Sequence, residues 1–147
     1  MTHAYTRRRA ILSLLAVTAL IGPLYFWWDS AQGGTAHRIS SEIAGLRLAG
    51  GKVLEFEDDR SKTHADRLVR SRLEFPHKAF DALVQAAREE GYVWLESNDP
   101  NAFTIRDIAP APSSALYRLR GSVESGTFDL VVLVPSERQV VIRAAGS

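Results

Sequence analysis

The sequence predicts an α+β protein: one mostly antiparallel sheet with one principal helix packed on it, behind a single N-terminal transmembrane helix. Three observations carry this. Ala10–Trp28 holds no charged residue and follows Arg7, Arg8 and Arg9. Residues 77–90 repeat apolar side chains at helical spacing between two segments that alternate with a period of two. The last third of the chain reads as three strands joined by turns.

The apolar run comes first in the chain. As a helix, residues 10–28 would extend about 28 Å, enough to cross a hydrocarbon core of roughly 30 Å. Tyr25, Phe26, Trp27 and Trp28 close the run with rings suited to the headgroup level, and Gly22-Pro23 marks a kink or a frayed last turn. Arg7–Arg9 on one flank and no basic residue before Arg38 on the other place the N-terminus in the cytoplasm by the positive-inside rule. The expected membrane-interface residues are Arg7, Arg8, Arg9, Tyr25, Trp27 and Trp28. A cleaved signal is the rival reading, because Val17-Thr18-Ala19 has the small-residue spacing of a cleavage site. Cleavage there would strand the apolar and aromatic stretch Leu20–Trp28 on a soluble domain, so the uncleaved anchor is preferred. Lipoprotein anchoring is excluded because the chain has no cysteine to acylate.

The expected organisation is a basic stub over 1–9, an anchor over 10–28, a linker over 29–36 and an exported domain over 37–147. The chain carries 18 Lys+Arg against 17 Asp+Glu. Arg7–Arg9 supply three of the basic residues and no acidic residue precedes Asp29, so the exported part is slightly acidic. That charge and the location outside the cytoplasm both argue against nucleic acid as a partner.

Within the domain, Ile39, Ile43 and Leu46 suggest a short first helix. Gly50-Gly51 between Leu46–Leu48 and Val53–Glu57 reads as a hairpin turn, and Asp58–Asp66 as an irregular connection. Val69, Ser71, Leu73 and Phe75 alternate with Arg70, Arg72 and Glu74, as in a half-buried strand. Pro76 then opens the principal helix, with Phe80, Leu83, Val84 and Ala87 on one face and Gly91 just past its end. Tyr92–Glu96 follows as a strand, giving a strand–helix–strand unit with the right-handed crossover of βαβ. Phe103–Arg106 is expected as a further strand. In the closing meander, Tyr117, Leu119 and Gly121 alternate with Arg118, Arg120 and Ser122. Leu130–Val134 lacks any polar alternation, which predicts a central strand buried on both faces.

Two constellations could carry function. Arg70, Arg72, Arg106, Arg118, Arg120 and Arg143 all fall at expected outward strand positions. Brought together, six guanidiniums would make a face for anionic headgroups or glycans; apart, they are a solvated surface paired with Glu74, Glu96, Asp107 and Asp129. Asp58, Asp59, His64 and Asp66 are oxygen and imidazole ligands close in sequence, able in principle to hold a divalent cation for metal-assisted hydrolysis. Their spacing matches no established ligand motif. No nucleophile motif and no phosphate loop occurs, and no cofactor is expected. The expectation is therefore a bacterial-type inner-membrane protein, single-pass, with its domain facing the periplasm. It would contact the bilayer through residues 10–28 and bind an envelope protein as an accessory subunit or inhibitor.

Overall fold

A computed structural model describes residues 33–60, 67–108 and 114–146. The anchor run Ala10–Trp28, its flanking arginines and the interface aromatics lie outside them, as do His64 and Asp66. Among the described residues no helix is long and apolar enough to cross a membrane. A compact unit begins at Ala36.

The α+β class holds. Six strands form one sheet in the order β1-β2-β6-β5-β4-β3, every neighbouring pair antiparallel. They are β1 (Lys52–Arg60), β2 (Arg67–Glu74), β3 (Val93–Trp94), β4 (Leu116–Ser122), β5 (Thr127–Val134) and β6 (Gln139–Ala145). Among the described residues three helices accompany them: α1 (33–44), α2 (His77–Glu89) and α3 (Ala102–Ile108).

One face of the sheet is covered by α1 and α2. Leu73, Leu116, Val131, Leu133, Val140 and Ile142 meet Phe80, Leu83 and Ala87 of α2 in the main core. Ile39 of α1 packs on Val69 and Ala144. The other face is covered at one end by α3, whose Ala102 and Ile105 pack with Leu95, Tyr117, Leu130, Val132 and Val141. β5 is therefore buried on both faces from Leu130 to Val134, as its unbroken apolar run predicts. At the rate of about 1.5–3 kcal/mol for each fully buried aliphatic side chain, this strand is a principal source of stability.

The expected principal helix and the strand before it are observed. Phe80, Leu83 and Ala87 are buried, Pro76 occupies the N-cap, and Gly91 takes the left-handed φ of +81° that ends the helix.

Four local expectations are corrected. Gly50-Gly51 does not close a hairpin, because Leu46 and Leu48 lie in the core beside α1 rather than in a strand, and β1 pairs with β2 instead. β1 runs on through Asp58 and Asp59, so the irregular connection starts later than composition suggests. α1 occupies 33–44, so the linker expected over 29–36 is helical from residue 33; Ala36, Ile39, Ser40 and Ala44 form its buried stripe. Finally, 102–108 is helix and not strand. Asp99 accounts for that switch. Its side chain accepts from the Asn101 N–H at 2.8 Å and its carbonyl from the Ala102 N–H at 2.9 Å, with Pro100 pre-set for a first turn. Ala102 and Ile105, three apart, are the buried pair.

The strand–helix–strand unit also differs from expectation. β2 and β3 do not lie side by side. α2 carries the chain across β6, β5 and β4 to the far edge, where β3 pairs with β4.

Candidate functional site

The six arginines are divided among three places. Arg70, Arg72 and Arg143 share the sheet face that α3 leaves uncovered, with Arg70 directly opposite Arg143 on neighbouring strands. Each has a carboxylate of β1 nearby: Arg70–Glu57 at 3.6 Å, Arg72–Glu55 at 3.8 Å and Arg143–Glu55 at 3.5 Å. Three cations thus stand against two carboxylates. The outer pairs are about half exposed and contribute at most about 1 kcal/mol each. An open hollow of about 360 Å³ beside them is lined by Leu68, Arg70, Phe128 and Arg143.

Arg106 is not a strand residue; it lies exposed on α3. Arg118 and Arg120 lie on the opposite sheet face, because Leu116 of the same strand belongs to the core under α2. The expected single face of six guanidiniums is therefore not formed. Alternation alone misassigned β4, since Tyr117 and Leu116 are both buried and either parity looks like the core side.

Arg118 has a different role, and sequence reasoning missed it. Its Nη2 donates to the carbonyls of Ile43 at 3.1 Å and Ala44 at 2.6 Å, the last carbonyls of α1. The guanidinium lies 4.7 Å from the centre of the Tyr92 ring, and the Tyr92 hydroxyl donates to the same Ala44 carbonyl at 2.8 Å. A cation placed on helix C-terminal carbonyls satisfies orphan acceptors and complements the dipole. Gly45 makes room for it: with φ +61°, a Cβ there would sit 3.3 Å from Nη2. Burial pushes the Tyr92 hydroxyl up to about 12, against the opposing pull of Arg118 and Arg120. The clasp joins α1, β4 and the start of β3, and it is structural chemistry.

The acidic constellation does not assemble as a metal site among the described residues, none of which form a cluster of three or more His, Asp or Glu. Asp58 and Asp59 are successive residues of β1 and point to opposite faces. Asp58 accepts from Arg67 Nε at 3.2 Å. Its other two expected members, His64 and Asp66, lie outside the described residues. His77, on α2, pairs with Asp81 one turn along at 3.3 Å.

Two further features are open to solvent. Beside α1 a cleft of about 290 Å³ is lined by Ile43, Arg67, Val69, Arg120, Asp129 and Ala144, mixing an apolar floor with both signs of charge. At the far end of the sheet, β3 and α3 expose three large apolar side chains: Val93 at 51%, Trp94 at 46% and Phe103 at 84%. The elements that carry them are held firmly. Leu95 and Ile105 are buried just behind, and Tyr117 Oη donates to Asp99 at 2.5 Å at the start of α3. Burial, and then that hydrogen bond, raise the Tyr117 hydroxyl above its ordinary range.

The chain matches no known family model, and neither a characterised protein nor a solved structure matches it.

Proposed function

We propose that this chain is a membrane-anchored protein-interaction module, periplasm-facing and of accessory or inhibitor type, that makes its contacts through the β3–α3 edge. The observation that supports it most is the exposure of Val93, Trp94 and Phe103 on two fixed elements at one end of the sheet. A single exposed Leu or Val is ordinary, but here Trp94, on the α2 face, and Phe103, on α3 over the other face, are both exposed at one end of the sheet, and exposed aromatics of this kind anchor interfaces.

The position of the edge fits the reading. The first turns of α1 lie over β2 and the start of β1: His37 Nε2 donates to the Gly51 carbonyl at 2.6 Å, and Ser40 meets Ser71 at 2.8 Å. From β2 to β3 is four strand steps, about 19 Å at about 4.8 Å per step. The β3–α3 edge thus lies at the opposite end of the sheet from the strands under the first turns of α1. Confinement to a membrane raises the effective concentration of any partner in the same envelope.

A photo-crosslinking residue placed at Phe103 in the full chain, in native membranes, tests the reading. A discrete protein adduct is expected from position 103 and none from Lys78, an exposed polar position on α2. Equal labelling from both positions refutes the proposal.

A further inference from the structure

The β3 edge has a property that names its occupant. The Leu95 N–H donates to the Ala115 carbonyl at 2.8 Å, and β3 pairs Val93 with Tyr117 and Trp94 with Leu116. In an antiparallel ladder main-chain groups alternate in direction along a strand. Val93 and Leu95 therefore turn theirs toward β4, and Trp94 turns its N–H and C=O outward, at the end of the sheet. Among the described residues no strand pairs with that side.

We infer that β3 pairs with β3 of a second copy of this chain across a two-fold axis at Trp94, joining two six-stranded sheets into one. This rests on the reading of the β3–α3 edge as the contact surface and specifies what meets it there. A dyad centred on an outward-directed residue lets that residue bond to its own mate, and in β3 that residue is Trp94. Each Trp94 then exchanges N–H···O bonds with its mate, and the two indoles lie side by side on one face. Val93 comes opposite Leu95 of the second copy, and Tyr92 opposite Glu96, so no like charges face each other.

The opposite edge forbids the same arrangement. β1 carries Glu55, Glu57, Asp58 and Asp59, so a dyad at Phe56 sets Glu55 against Glu57, and one at Glu57 sets that residue against itself. A register shift between Val53 and Glu55 disrupts that edge further. Of the two ends of the sheet, β1 is guarded by charge and irregularity, and β3 is apolar and self-complementary. β3 is only two residues long, so the contact is small, and confinement in a membrane is what populates it.

The absence of cysteine makes the test clean, because any introduced thiol is the sole one. Directly opposed residues of a hydrogen-bonded antiparallel pair have Cα atoms about 5.5 Å apart, within the range of about 4.4–6.8 Å that a disulfide spans. Full-length Trp94→Cys and Glu57→Cys are oxidised separately in native membranes with a copper catalyst. The expected result is a disulfide-linked dimer from Trp94→Cys and monomer from Glu57→Cys. A second measurement keeps the indole: two differently tagged wild-type chains are co-expressed and co-purified, and Trp94→Lys in both should lower recovery about tenfold. Equal, weak crosslinking at 94 and 57 together with unchanged recovery overturns the dimer. A mixed adduct at 94 with a different protein, and no self-linked product, overturns the second copy but leaves the contact surface standing. No adduct of any kind at 94 or at 103 overturns both.

Discussion

Replacing Arg118 with methionine isolates the clasp on α1. The change keeps an unbranched stem in the core and removes the guanidinium. Two hydrogen bonds from a charged donor are lost, to Ile43 at 3.1 Å and Ala44 at 2.6 Å, each typically about 1.5–3 kcal/mol. The stacking on Tyr92, 4.7 Å away, adds about 0.5–2 kcal/mol. Two effects offset part of this. Ala44 keeps its bond from the Tyr92 hydroxyl, and Arg118 Nη1, buried without a hydrogen-bond partner among the described residues, no longer has to be desolvated. The net cost is about 2–4 kcal/mol, a fall in melting temperature of roughly 8–20 °C for a domain of this size. Thermal and urea unfolding of the segment from Asp29 onward, followed by circular dichroism, measures it. Arg120→Met, at an exposed position on the same strand, should stay within about 0.5 kcal/mol of wild type. A double cycle with Tyr92→Phe should show a coupling of about 0.5 kcal/mol or more. If Arg118→Met melts within about 2 °C of wild type, the clasp is incidental and the assignment of Arg118 to structure fails.

Two further outcomes follow from the same geometry. The Tyr92 hydroxyl, raised by burial to about 12, keeps its proton in the folded state where an unfolded tyrosine, near 10, has lost it. Its contribution is complete below about pH 10 and is lost as pH rises toward 12, up to about 2–3 kcal/mol; Tyr92→Phe should flatten that limb of a stability–pH curve. Ser40 and Ser71, both fully buried, join their hydroxyls across α1 and β2 at 2.8 Å. Ser71→Ala should therefore cost about 1–2 kcal/mol by stranding a hydroxyl, while the double change to alanine costs clearly less than the two single changes added together, as read from urea midpoints.

Where a segment's period and its burial agree, the sequence was a sound guide. β2 declares itself because Val69, Ser71, Leu73 and Phe75 are buried in strict alternation, and α2 because its apolar stripe, its proline and Gly91 all point to the same element. The failures have physical causes. Phe103-Thr104-Ile105 has strand-forming residues, but capping by Asp99 and the burial of only Ala102 and Ile105 outweigh intrinsic propensity. Gly33 and Gly34 read as linker, yet the first helix includes them, because its stability comes from seating Ala36, Ile39 and Ala44 on the sheet. The arginines were legible as residues and illegible as a site. Three of them share a face because β2 and β6 are neighbours, a pairing of segments some 70 positions apart that no local pattern encodes. The clasp around Arg118 is equally non-local, joining residues 44, 92 and 118.

That same neighbouring of β2 and β6 governs the order in which the domain can be built. β1 and β2 can zip together early, and β4 with β5 later, since each pair is close in sequence. Neither half can join the other until Gln139–Ala145 slides between them and bonds to both. Until then β2 and β5 each present a bare flank, the second of them the most apolar strand of the protein. The nascent chain thus carries two sticky half-sheets for the time it takes to deliver the final strand. Loss of that strand would leave two open edges in place of two closed seams, which makes truncation near residue 139 a route to aggregation rather than to a slightly smaller protein.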